Sequence, residues 1–81
     1  MSDLREALED IMSLCKSARQ YTRRTQQIHE VAMRALGLTA TQREYRHVEI
    51  FTRLGDIPAK TRFLEREAKR REKACAHQHS A

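Results

Sequence analysis

The sequence predicts an all-α protein, and three observations carry that prediction. Apolar residues recur at steps of three and four over most of the chain, the spacing of one helical face. Only two glycines and one proline occur in 81 residues, so there is little to interrupt long helices. Both glycines and the proline fall where the apolar stripes stop.

The first helix is predicted over Asp3–Leu36. Its stripe reads Leu4, Ala7, Leu8, Ile11, Leu14, Cys15, Ala18, Tyr21, Ile28, Val31, Ala32, Ala35 and Leu36. Asp3, Glu6, Glu9 and Asp10 suit the positive end of the helix dipole. Gly37 supplies a left-handed position after the last turn, with Leu38 placed to pack back on Met33. At about 1.5 Å per residue this helix is roughly 50 Å long and cannot bury its stripe against itself.

The second helix is predicted over Ala40–Leu54. Thr39-x-x-Gln42 and Thr41-x-x-Glu44 both have the form of a capping box. Tyr45, Val48, Phe51 or Thr52, and Leu54 form its expected buried stripe, and Gly55 ends it. The third helix is predicted over Pro58–Ala74, with proline in its first turn. Its apolar content is thin: Phe63, Leu64, Ala68 and, just past its end, Cys75. Residues 76–81 read as a flexible tail after a single helical domain over 1–75.

The second and third helices together match the first in length, and short connections favour antiparallel neighbours. The expected architecture is therefore a helical hairpin: one long N-terminal helix and a return arm of two shorter ones. A core this small needs support, and two cysteines make no disulfide framework. Two hairpins packed face to face, a dimeric helical bundle, would bury both stripes. Cys15 and Cys75 are expected to be unbridged.

The net charge is +5, unevenly spread: beyond residue 15 the chain carries fifteen basic and seven acidic residues. Such asymmetry points to an acidic partner, nucleic acid or an acidic protein surface. No apolar run approaches a membrane span, and the acidic start is unlike a secretory signal; with two cysteines that look unpaired, the expected setting is a reducing, cytoplasmic one. Two basic groups are candidate contacts. In the third helix, Lys60, Thr61 and Arg62 follow a Gly-containing turn, as the reading residues of a helix-turn-helix do, with Arg66, Lys69, Arg70 and Lys73 placed for phosphates. In the first helix, Lys16, Arg19, Arg23 and Arg24 form a ridge. The competing reading of both groups is a solvated helix face.

Catalysis is not expected. Cys15 and His29 lie about 21 Å apart along one continuous helix, beyond nucleophile–base reach. No glycine-rich phosphate loop exists, and Cys75, His77 and His79 fall short of a four-ligand structural zinc site. No cofactor or metal is expected. The sequence thus predicts a non-enzymatic binding protein, a nucleic-acid-binding regulator or accessory factor. The alternative is a protein-binding inhibitor or adaptor, of the kind mobile elements and phages carry, docking on an acidic or nucleic-acid-binding surface of its target.

Overall fold

A computed structural model describes residues 2–79, with side chains from 3 to 74. The prediction of an all-α chain holds: there are four helices and no strand among the described residues. They are α1 (Ser2–Lys16), α2 (Arg23–Ala35), α3 (Ala40–Leu54) and α4 (Ile57–His79). None is long and apolar enough to cross a membrane.

The single long helix expected over Asp3–Leu36 is not present. It breaks at residues 17–22, and the halves fold back on each other. The Cys15 thiol lies 4.0 Å from the Thr25 carbonyl, and Met12 of α1 shares a groove with Leu36 and Leu38 beyond the end of α2. A helix too long to cover its own stripe has found its cover within the chain.

The break is built from polar side chains. Ser17 Oγ donates back to the Ser13 carbonyl at 3.0 Å. The Ala18 carbonyl, freed from the ladder, accepts from the Arg53 guanidinium at 2.6 Å, which ties the linker to α3. Thr22 then caps α2, its hydroxyl accepting from the Thr25 amide at 3.2 Å. Each helix end is satisfied without glycine or proline.

The other boundaries follow the predicted signals. Gly37 (φ 83°) lets the Leu38 amide reach the Met33 carbonyl at 3.0 Å. Thr39 and Gln42 complete a reciprocal capping box at the start of α3. Gly55 (φ 68°) closes α3 in the same manner, the Asp56 amide reaching the Phe51 carbonyl at 3.1 Å. Asp56 caps α4 through Ala59, and Pro58 sits in its first turn. The expected end at Ala74 is overrun, since the α4 backbone continues to His79. The Cys75–His77–His79 reading and the unbridged Cys75 concern side chains outside the described ones. Cys15 is a free, buried thiol.

Successive helices run antiparallel. Glu30 of α2 meets Arg43 and His47 of α3, while Tyr21, just before α2, meets Phe51 near the end of α3. Glu44 of α3 pairs with Arg71 of α4, and Phe51 packs on Phe63 with centroids 5.7 Å apart. The core is Cys15, Tyr21, Ile50, Phe51 and Phe63, flanked by Ile11, Val48, Leu54 and Ala59. The α3 stripe is rotated from the expected one: Tyr45 is 64% exposed, and His47 and Ile50 are buried beside Phe51. In α2, Val31 faces out at 65% exposure and His29 faces in. Both rotations have one cause, a histidine occupying a core position.

The molecule is elongated and flat, with principal extents of 44 × 34 × 17 Å and a radius of gyration of 14.3 Å, against about 12 Å for a compact chain of this length.

Gly55 is the one residue of the α3–α4 turn that must adopt a left-handed backbone, and open space surrounds the position of a Cβ. Gly55→Ala should therefore cost about 1–2 kcal/mol from backbone strain alone. Chemical denaturation checks this; an unchanged midpoint would contradict the strained turn.

Candidate nucleic-acid interface

The interface is assembled on a buried polar network that apolar periodicity does not reveal. Tyr21, in the α1–α2 linker, is 7% exposed. Its hydroxyl contacts Nδ1 of His29 at 2.7 Å and Nδ1 of His47. His47 Nε2 lies 3.0 Å from Oε1 of Glu30. The other oxygen of Glu30 accepts from Arg43 Nε at 2.8 Å and Arg34 Nε at 3.1 Å.

One arrangement of protons satisfies this chain with neutral imidazoles. Glu30, as a carboxylate, only accepts, so His47 carries its proton on Nε2 and accepts at Nδ1. Tyr21 donates to that nitrogen, so its oxygen accepts from His29 Nδ1–H. The order is His29 to Tyr21 to His47 to Glu30, every link a donor meeting an acceptor. No buried side-chain polar atom in the described residues is left without a partner.

The environment keeps the chain in this state. Burial pushes the His29 imidazole down to about 4, helped by His47 and Arg46 against the pull of Glu30. Burial also lowers His47, with the Glu30 hydrogen bond and charge opposing. For Glu30, burial alone would raise the carboxyl, but the His47 and Arg43 hydrogen bonds and the Arg43 charge together hold it below its usual value. Burial raises the Tyr21 phenol, and Cys15 and Glu30 add to it. A buried phenol of raised pKa with its hydroxyl committed on both sides is a positioning group, not a nucleophile facing a substrate.

By holding Tyr21, the network fixes the linker beside α4. Between them opens a cleft of about 870 Å³. Arg19, Gln20, Thr22, Arg23 and Gln26 line one wall; Gly55, Asp56, Ala59, Arg62 and Arg66 line the other. The two basic groups that the sequence holds far apart thus contribute to one surface. Arg66 is half-buried there, and its guanidinium pKa is lowered by burial first, then by the charges of Arg23, Arg62 and Arg70, with Glu67 opposing.

Ion pairing divides the basic residues. Arg5, Arg34, Arg43, Arg70 and Arg71 each meet a carboxylate, as does Lys16, whose Nζ lies 3.6 Å from Glu49. Among the described residues, Arg19, Arg23, Arg62 and Arg66 have no such partner, nor do Arg24, Arg46, Arg53, Lys60, Lys69 and Lys73, which lie outside the cleft. The one acidic lining residue, Asp56, is engaged in capping α4.

The remaining candidates lie outside the cleft. Lys16 is on α1, separated from Arg19 and Arg23 by the helix break, so the expected continuous ridge is split. Arg24 is exposed and does not line the cleft. Lys60 is half-buried, and Thr61, Lys69 and Lys73 are exposed along α4. Arg70 flanks a neighbouring hollow with Arg23 and Arg66. No group of three or more His, Cys, Asp or Glu side chains among the described residues is arranged to hold a metal ion.

The histidines make stability depend on pH. A folded imidazole held near 4, against 6.5 in the unfolded chain, stabilises the fold fully above pH 6.5. That contribution is lost as the pH falls towards 4, because the unfolded chain then binds the extra proton. His47 acts in the same direction. By pH 5, His29 alone should lower unfolding free energy by about 2 kcal/mol relative to pH 7.5. Denaturant titrations at the two values check this; equal or greater stability at pH 5 would contradict neutral buried imidazoles. Comparison of the chain with protein-family models, with curated proteins and with solved structures finds no match.

Proposed function

We propose that this chain is a non-enzymatic nucleic-acid-binding protein, a small regulator or accessory factor. It holds backbone phosphates between Arg19 and Arg23 on one wall of the cleft and Arg62 and Arg66 on the other. The observation that carries this reading is that four guanidinium groups without a carboxylate partner, Arg19, Arg23, Arg62 and Arg66, line one concavity whose single acidic side chain is engaged in capping α4. Like charges held together without counter-charge oppose folding, and an anionic ligand relieves them. Arginine presents a planar fork of donors that matches phosphate oxygens.

Of the contacts expected from sequence, this assigns Arg62, Arg66, Arg19 and Arg23 to phosphate binding and sets Lys16 aside. Lys60, Thr61, Lys69, Arg70 and Lys73 flank the cleft along α4 as secondary contacts. The proposed setting is cytoplasmic and the proposed assembly a homodimer. Its support is no longer helix length but exposed surface. The chain exposes 6321 Å², against about 5000 Å² for a monomeric protein of this mass. Leu4, Leu14, Val31 and Ile57 are each at least 65% exposed.

Titration of labelled nucleic acid, single- and double-stranded, across a salt series tests the function. Affinity for at least one form should fall steeply with salt. Arg23→Gln combined with Arg66→Gln should reduce the slope of log K against log salt by about 1.4–1.8. Absence of salt-dependent binding to either form at low ionic strength would overturn the proposal. The protein-inhibitor reading, with an acidic target surface, would then take its place.

A further inference from the structure

We infer that the cleft takes a single phosphodiester-linked strand of nucleic acid and not a duplex, an inference that rests on the phosphate-binding reading above. The first argument is the placement of charge. A duplex is read by a projecting element, usually one helix entering a major groove about 12 Å wide. Here the cations sit on two facing walls, Arg19 and Arg23 opposite Arg62 and Arg66. Charges that face each other across a gap suit a chain lying between them.

Size gives the second argument. A volume of about 870 Å³ falls in the roughly 300–1000 Å³ range of ligand clefts, which matches a short stretch of one strand lying in the concavity. The walls also carry what an unpaired base requires: guanidinium planes for stacking, and Gln20 and Thr22 for base edges. Tyr21 supplies no stacking face, since its ring is buried. Recognition should accordingly be tolerant of sequence and strongly dependent on salt.

Fluorescence anisotropy with a labelled single-stranded homopolymer, the same strand annealed to its complement, and a free mononucleotide as competitor tests the inference. The single strand should bind about tenfold or more tighter than the duplex, with a salt slope of about −3 for four phosphate contacts. Arg19→Gln and Arg62→Gln, one from each wall, should each weaken the single strand, with thermal melts unchanged or raised, because neither residue makes an ion pair and each removes one of the mutually repelling charges. Equal or tighter duplex binding would overturn the inference while leaving phosphate binding intact. Displacement of the strand by the mononucleotide at equal phosphate concentration would also overturn it, marking the cleft as a site for free nucleotides. Binding of neither strand would remove the phosphate reading beneath it.

Discussion

A tyrosine hydroxyl caught between two buried imidazoles organises this molecule. Tyr21 lies in a segment with no regular structure, yet it is among the least exposed residues of the chain. Packing alone does not require a phenol there. The hydroxyl, His29 and His47 are each buried polar groups that would cost about 1–3 kcal/mol if left unsatisfied. Together they satisfy one another, and Glu30 completes the series. The network joins the linker, α2 and α3, so one set of hydrogen bonds fixes how three segments meet. Tyr21 also packs edge-on against Phe51, with ring centroids 5.1 Å apart, which anchors the same point in the apolar core.

The break between α1 and α2 has to be understood through that anchor. Continuing the helix through residues 17–22 would satisfy the backbone equally well, and nothing in the segment forbids it. Ending α1 allows Tyr21 to turn inward and α2 to return along α1. Arg53, Ser17 and Thr22 then satisfy the freed backbone groups. The same turn carries Arg19 and Arg23 to the side of α4, opposite Arg62 and Arg66. The interior polar network and the surface charge cluster are thus two consequences of one change in chain direction.

Much of this was legible in the sequence. Gly37, the Thr39–Gln42 capping box, Gly55 and Pro58 each mark their boundary through local backbone chemistry, which needs no knowledge of the rest of the fold. The break at residues 17–22 lacks glycine and proline. Its traces are subtler: Thr22 three residues before Thr25, and a stripe with no apolar member between Tyr21 and Ile28. The buried faces of α2 and α3 were misphased because hydropathy counts histidine as polar. His29 and His47 become core residues only once Tyr21 and Glu30 are beside them, a fact of tertiary structure. The arginines were visible as candidates, but in two groups, since Arg23 and Arg62 are far apart in sequence and meet only through the fold.

The central claim is that both walls of the cleft act as one binding surface. Amide chemical shifts of the isotopically labelled protein, followed during titration with a single-stranded oligonucleotide, test it most directly. The account predicts that residues 19–26 and 59–66 shift together and saturate at the same ligand concentration, while residues 3–12 of α1 stay unchanged. Shifts confined to α4, or the two segments saturating at clearly different concentrations, would contradict a shared cleft.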